Sequence, residues 1–307
     1  MSGKIRSRMN LFMANLACAD LMVGIFLVLT DVISKITITW DTGDAGCKIV
    51  KFLQAMSTYA STYSLVALSL DRLDVVIRPL KRAGNGRSWV LIALVWVCAA
   101  TFAVPMLIFF FIKEAYSMKH CMIEFSQQWM WQVYLSLNAI AVFIIPAFII
   151  AFCYIVIVTV IWRKSTFSLG NDSSNGCSPQ HIIDKDGNTV PKQNEKKVRW
   201  TNPGSSSRGV IPKAKIKTIK MTFVIVLAFI FCWSPYFVFD LLYVYGQIPD
   251  PTSEKVTAIN TFIQSLAPLN SAVNPFIFLL FNFNTVRNVC GRKNRHLYSP
   301  PTTHTQL

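Results

Sequence analysis

Six apolar runs separated by charged joints constrain this chain more than any other feature it carries. They are Asn10–Ser34, Cys47–Ile77, Ser88–Ile112, Trp129–Trp162, Ala214–Tyr245 and Val256–Phe283. A helix rises about 1.5 Å per residue, so each run is long enough to cross a hydrocarbon core of about 30 Å. Charged residues make up only 15% of the chain, below the roughly 25% usual in soluble domains, which leaves the charge to the joints. The reading is an all-α membrane protein with a helical bundle over 1–283 and spans near 10–34, 47–77, 88–112, 129–162, 214–245 and 256–283. A largely disordered cytosolic loop over 164–213, rich in Ser, Asn, Gly, Pro and Lys, interrupts the bundle, and a cytosolic amphipathic helix with a short tail follows over 284–307.

The second run is the organising helix. It carries no charge from Phe52 to Leu70, 19 residues. Cys47 and Asp71 would stand roughly 36 Å apart along its axis. The cysteine then sits at one interface and Asp71-Arg72 at the other.

Orientation follows from the basic residues, of which 24 of 30 fall at the termini, after the second and fourth runs, or at Arg72. That side is expected to be cytosolic, both termini included. Scattered this way among membrane-flanking joints, the net charge of +15 marks topology and not a nucleic-acid footprint, so lipid is the expected partner. The first run contains Asp20 and is too long for a cleavable signal peptide, so it is expected to stay as a span.

Of eight cysteines, Cys47 and Cys121 fall on the expected outer side, where disulfides persist, and are paired here. Cys18, Cys98, Cys153 and Cys232 lie inside apolar runs and read as small hydrophobes. Cys290, among Arg287, Arg292 and Lys293, reads either as a juxtamembrane palmitoylation site or as a reduced surface thiol.

Polar residues inside a membrane span are costly and usually face the bundle interior. Asp20, Ser61, Asn270, Ser271 and Asn274 together suggest a buried polar cluster. Pro146, Pro235 and Pro275 remove backbone donors inside spans and favour kinks. His120, His181, His296 and His304 are isolated, and no nucleophile–base set or metal-ligand spacing occurs, so enzymatic function is not expected. A transporter or channel would need charge along a path, and the spans offer little beyond Asp20, Lys51 and Asp71-Arg72.

An ordered set of short motifs resembles the rhodopsin-like (class A) G-protein-coupled receptors. It comprises Leu16-Ala-Cys-Ala-Asp20, Cys47, Asp71-Arg72, Trp96, Pro146 with Tyr154, Cys232-Trp233-Ser234-Pro235, and Asn274-Pro275-Phe276-Ile277-Phe278. Lys51-Phe-Leu-Gln54 with Tyr59-Ala-Ser-Thr-Tyr63 is similar to the vasopressin and oxytocin receptor group. Cys232 to Asp240, Leu29-Thr30-Asp31 and Tyr245-Gly-Gln-Ile-Pro249 lean toward its neuropeptide S and crustacean cardioactive peptide branch. The resemblance implies a rhodopsin-like bundle at the plasma membrane with six of the seven transmembrane helices in this chain. It further implies a small peptide ligand, amidated or cyclic, a heterotrimeric G protein on the cytosolic side, and arrestin. The motifs depart from the family pattern where Asp-Arg-Tyr ends in Leu73 and Asn-Pro-x-x-Tyr ends in Phe278. Because the chain begins at what resembles the first cytosolic loop, a six-span form that associates with full-length receptor and does not signal is the alternative expectation.

Specific residues inherit roles from the resemblance. Asp20, Ser61, Asn270, Ser271 and Asn274 would hold an allosteric sodium ion or, in the plainer reading, a water network; no other cofactor is implied. Asp71, Arg72, Tyr154, Trp233, Pro235, Asn274, Pro275 and Phe278 would form the switch, with Arg72 leaving Asp71 for Tyr154 and the G protein; otherwise Arg72 is a snorkelling charge at a helix end. Cys47, Lys51 and Gln54 share a helix face by their spacing. Lys51 and Gln54 are the expected peptide contacts, with Asp31 balancing Lys51 or holding a ligand cation. Trp233, Tyr236 and Phe237 would form the floor, and Phe262 and Gln264 the walls.

Overall fold

The structure is a computed structural model that describes residues 2–78, 85–115, 118–172, 213–248 and 253–297. Helix α1 (Ser2–Met22) passes through a π-helical stretch (Val23–Leu29) into α2 (Thr30–Thr37). There follow α3 (Gly43–Ile77), α4 (Asn85–Phe109), the strands β1 (Phe110–Ala115) and β2 (Met118–Ile123), and α5 (Gln128–Ala139). A second π-helical stretch (Ile140–Ile144) leads into α6 (Ile145–Asp172), and α7 (Lys213–Val244) and α8 (Glu254–Leu297) complete the chain.

Among the described residues, five helical stretches are long and apolar enough to cross a membrane: Arg8–Thr37, Gly86–Phe109, Gln128–Arg163, Ile219–Val244 and Glu254–Phe281. The sixth, α3, has the length at 35 residues but is more polar than the other five. Its position explains this, because α3 packs against α1, α4, α6 and the first π stretch and is shielded from lipid. Two of its buried hydroxyls are satisfied on its own backbone: Ser64 Oγ donates to the Ala60 carbonyl at 2.7 Å and Ser69 Oγ to that of Leu65 at 2.9 Å. The apolar core gathers around it from Phe12, Leu16, Leu65, Leu68, Ile150, Ile225 and Phe229.

Several boundaries differ from the sequence expectation. The third run ends as helix at Phe109, and Phe110–Ile112, expected as helix, starts β1. Residues 164–172, expected at the start of the long loop, continue α6 to Asp172. The amphipathic helix expected from 284 is no separate element, because the α8 backbone runs unbroken through Asn274-Pro275 to Leu297. The rest of the long loop (173–212), the tail (298–307) and the side chain of Cys290 lie outside the described residues.

Periodicity did not foretell the two π-helical stretches. In the first, Thr30 Oγ1 donates back to the Phe26 carbonyl, and also to that of Leu27 at 3.4 Å, where the wider turn changes the ladder. The second lies just ahead of Pro146, which has no N–H to return to the preceding turn. There Tyr63 Oη donates to the Ala141 carbonyl at 3.3 Å.

The β1–β2 hairpin is tied by three links to the start of α3 and the segment just before it. Cys47 and Cys121 form a disulfide with Cα atoms 5.6 Å apart. The Ile112 N–H donates to Asp44 Oδ1 at 3.2 Å, and the Trp40 N–H donates to the Lys119 carbonyl at 2.8 Å. Asp44 also ion-pairs with Lys48 at 2.9 Å, and that ammonium holds its carboxyl below the ordinary value. The disulfide closes a loop with a sequence separation of 74. Chain-entropy reasoning gives about 4 kcal/mol for a loop of that length. Cys47→Ser and Cys121→Ser should each lower the thermal midpoint of the purified protein, and peptide mapping of the parent should recover the Cys47–Cys121 bridge; two free thiols would contradict this fold.

Candidate functional site

The buried polar cluster assembles at mid-depth between the first helix, α3 and α8. Ser61 Oγ donates to Asp20 Oδ1 at 2.6 Å, Asn274 Nδ2 to Asp20 Oδ2 at 2.9 Å, and Ser61 and Ser271 hydroxyls stand 3.4 Å apart. Asn270, also buried, lies one turn before Asn274 on α8. The side-chain oxygens of Asn270 and Asn274 have no hydrogen-bond partner. One carboxylate and two hydroxyls in mutual contact, with two unpartnered amide oxygens on the adjoining turn of α8, offer the oxygen chemistry a hard cation needs, although Asn274 turns its nitrogen to Asp20. These residues therefore fit a sodium ion.

About one helical turn away, Asn15 joins three helices. Its Nδ2 donates to Ser64 Oγ at 2.8 Å and its Oδ1 accepts the Trp96 indole N–H at 2.9 Å. Asn15 was not singled out from the sequence, because one amide inside an apolar run carries no periodic signal.

At the far end of α3, Asp71 is held from two sides. Arg72 Nη2 donates to Asp71 Oδ2 at 2.6 Å. Arg8 Nη2 approaches Asp71 Oδ1 at 2.6 Å, an ion pair outside hydrogen-bond geometry, and reaches Asp74 at 3.4 Å. Sequence reasoning counted Arg8 only as topogenic charge. The α1 helix, which starts at Ser2 and not at the first apolar residue, carries it inward. Tyr154 is buried nearby with its ring 5.6 Å from that of Phe223 on α7. Pro235 sits inside α7, where Ser234 Oγ takes the Ile230 carbonyl at 2.6 Å, a pattern that bends helices. Phe278 packs against the core.

At the disulfide end, the expected ligand residues are engaged with the protein itself. Lys51 Nζ lies over the Phe110 ring, 5.5 Å from its centre. Asp31 ion-pairs with Lys35 at 2.8 Å, one helical turn away and largely exposed, an arrangement worth little in stability, and it stays within electrostatic reach of Lys51. Gln54 Nε2 donates to Thr30 Oγ1 at 2.6 Å. Trp233 stacks on Phe237 at 5.5 Å and meets Tyr236 edge-on at 5.8 Å, and Phe143 extends the aromatic group from the second π stretch. Gln264 is itself exposed, although its spacing puts it on the α8 stripe that carries the buried Ala267, Ser271 and Asn274. Phe262 was expected as a wall residue, but it lies on the opposite stripe with Leu269, Phe276 and Phe283, all exposed. Its phase on the helix, two residues from Gln264, puts it there.

A cavity of about 580 Å³ opens elsewhere, on the outer flank between α3, α4 and α5, against Tyr59, Tyr63, Phe102, Tyr134 and Asn138. None of Lys51, Gln54 or Trp233 lines it. Its walls are apolar and face the hydrocarbon side of α4 and α5, which sets it apart from the residues above.

Residues 1–278 match the family described as 7 transmembrane receptor (rhodopsin family). The neuropeptide S receptor of Macaca mulatta is 36% identical over 292 residues, covering 94% of this chain and 72% of the relative. The vasopressin V1b receptor of Homo sapiens is 34% identical over 305 residues, covering 96% and 69%. The mesotocin receptor of Rhinella marina is 33% identical over 276 residues, covering 90% and 66%.

Asn15→Ala would leave the half-buried Trp96 indole N–H without its acceptor and take from Ser64 its donor, although Ser64 keeps the Ala60 carbonyl, at about 1–3 kcal/mol. Thermal denaturation should show Asn15→Ala below both Ser64→Ala and Trp96→Phe, since each of those removes only one of its two bonds. A midpoint for Asn15→Ala equal to the parent would mean the three-helix junction contributes nothing.

Proposed function

The chain belongs to the rhodopsin family of seven-transmembrane receptors, a multi-pass plasma-membrane class without enzymatic activity, and on that premise we propose that it is a receptor for a small neuropeptide. Peptide binding at the disulfide end is transmitted to a heterotrimeric G protein at the Asp71-Arg72 end, which places the first end outside the cell and the second, with the C-terminus, in the cytosol. The observation that carries this reading is α3, one helix with Cys47, Lys51 and Gln54 at one end and Asp71-Arg72 at the other. The hairpin pinned over its start supports a lid on a ligand site, and the excess of basic residues at the opposite end supports the orientation.

The ligand is a peptide whose carbonyls and C-terminal amide, or cyclised backbone, meet Lys51 and Gln54. Lys51 brings three donors and Gln54 both donors and acceptors, and no acid occupies the Gln54 position to attract a small amine. Gln54 would exchange Thr30, and Lys51 the Phe110 ring, for the peptide. Both groups are thus held in place before binding, which limits the ordering cost on complex formation. Calcium and cAMP readouts in cells exposed to neuropeptide S, vasopressin and mesotocin, with amidated and cyclised variants, test the ligand class. For the peptide that activates, Lys51→Ala and Gln54→Ala should each lower potency at least about tenfold at matched surface expression. Unchanged potency in both would remove this pocket.

Sodium at Asp20 is the regulatory part of the same reading. Ser61, Ser271, Asn270 and Asn274 supply neutral oxygens beside the one carboxylate. Replacing choline by sodium in the assay buffer should weaken agonist binding to the parent and leave Asp20→Asn unaffected. A sodium response that survives Asp20→Asn would assign the effect elsewhere.

A further inference from the structure

The charges around Asp71 form a set that does not balance. Arg8, Arg72 and Arg87 stand against Asp71 and Asp74 among the described residues, three cations to two anions. Arg8 bridges both acids, at 2.6 Å to Asp71 and 3.4 Å to Asp74. Arg87, more exposed, reaches the second oxygen of Asp74 at 3.5 Å. Burial ranks them: the side chain of Asp71 is 0% exposed, that of Arg72 4% and that of Arg8 10%. Tyr154, from α6, is the other titratable group at this end that the sequence places beside Arg72, and it is buried against α7.

Taking one partner away from a fully buried ion pair strands the other charge, which is among the costliest events in a protein interior. If Arg72 were the only cation on Asp71, its departure would impose that cost on every activation event. Removing Arg72 from the observed set leaves two cations and two anions instead, with Arg8 already in contact with the Asp71 oxygen opposite the one that Arg72 uses. We infer that Arg8 is the resident counterion of Asp71, so that Arg72 can leave Asp71 without stranding a buried anion. Arg8 is in this sense a positioning residue that acts through Asp71. The inference rests on the reading of Arg72 as the moving part of the switch, and it is opposite in sign to a lock. A lock residue, once removed, frees Arg72; the resident counterion, once removed, leaves Arg72 as the sole partner of Asp71 and holds it there.

Two measurements on the full chain separate these outcomes. The first is thermal denaturation of the parent, Arg8→Gln, Arg72→Ala, the double variant, and the double variant with Asp71→Asn added. Each single variant keeps one guanidinium on Asp71 and should lose little, whereas the double variant should lose at least about twice the sum of the two singles. Adding Asp71→Asn, which removes the stranded charge, should restore most of that loss. Additive losses, or no recovery with Asp71→Asn, would overturn the inference. The second is basal nucleotide exchange on co-reconstituted G protein, without ligand. Arg8→Gln should stay at or below the parent, and a rise would identify Arg8 as a lock and overturn the inference. Normal signalling by Arg72→Ala would instead remove the switch reading itself, while the thermal cycle would still report on the shared counterion.

Discussion

A hydroxyl or charged side chain inside a hydrocarbon slab must find its partner in protein, and α3 carries a run of them: Ser57, Ser61, Thr62, Ser64, Ser69, Asp71 and Arg72. The rest of the bundle is arranged so that none of this polarity meets lipid. The first helix supplies Asn15 and Asp20 to Ser64 and Ser61, α8 supplies Asn274, and α1 supplies Arg8 to Asp71. The helices around α3 can therefore be greasy on their outer faces, as the exposed Phe148, Phe152, Trp162, Phe231 and Leu280 show. They need polar groups only where they face it.

This arrangement divides the work along one axis. The disulfide end is fixed by covalent and backbone links between α3 and the hairpin, so its geometry is held independently of side-chain packing. The middle is held by hydrogen bonds to a single buried carboxylate, and the far end by ion pairs in which Arg8 and Arg72 share Asp71. Shared acceptors couple their donors, because whatever changes one bond to Asp20 or Asp71 changes the field at the other. Pro235 on α7 and the π-helical stretch before Pro146 put the weakest backbone ladders beside that column.

Much of this was legible in the sequence because it is one-dimensional. Span count and length follow from the hydrocarbon thickness, and the Cys47–Cys121 pair follows from the side of the membrane on which each cysteine falls. Asp20, Ser61 and Asn274 stood out because a polar residue at mid-span is expensive wherever it points. The misplaced boundaries share a cause. Apolar Phe110–Ile112 suits a strand as well as a helix end, and the polar residues 164–172 continue a helix whose start lies inside the membrane.

Sequence by itself determined what must be buried and roughly at which depth, since depth is a count of residues at a fixed rise. Which partner each buried group takes was decided only in three dimensions. Gln54 finds Thr30, Asp31 ion-pairs with Lys35, Phe262 turns to the outside, and Arg8, a topogenic charge on paper, reaches Asp71. Those outcomes depend on the rotation of each helix about its own axis and on π-helical turns that shift that rotation partway along. Both are set by packing against neighbours distant in sequence, so no local pattern of residues encodes them.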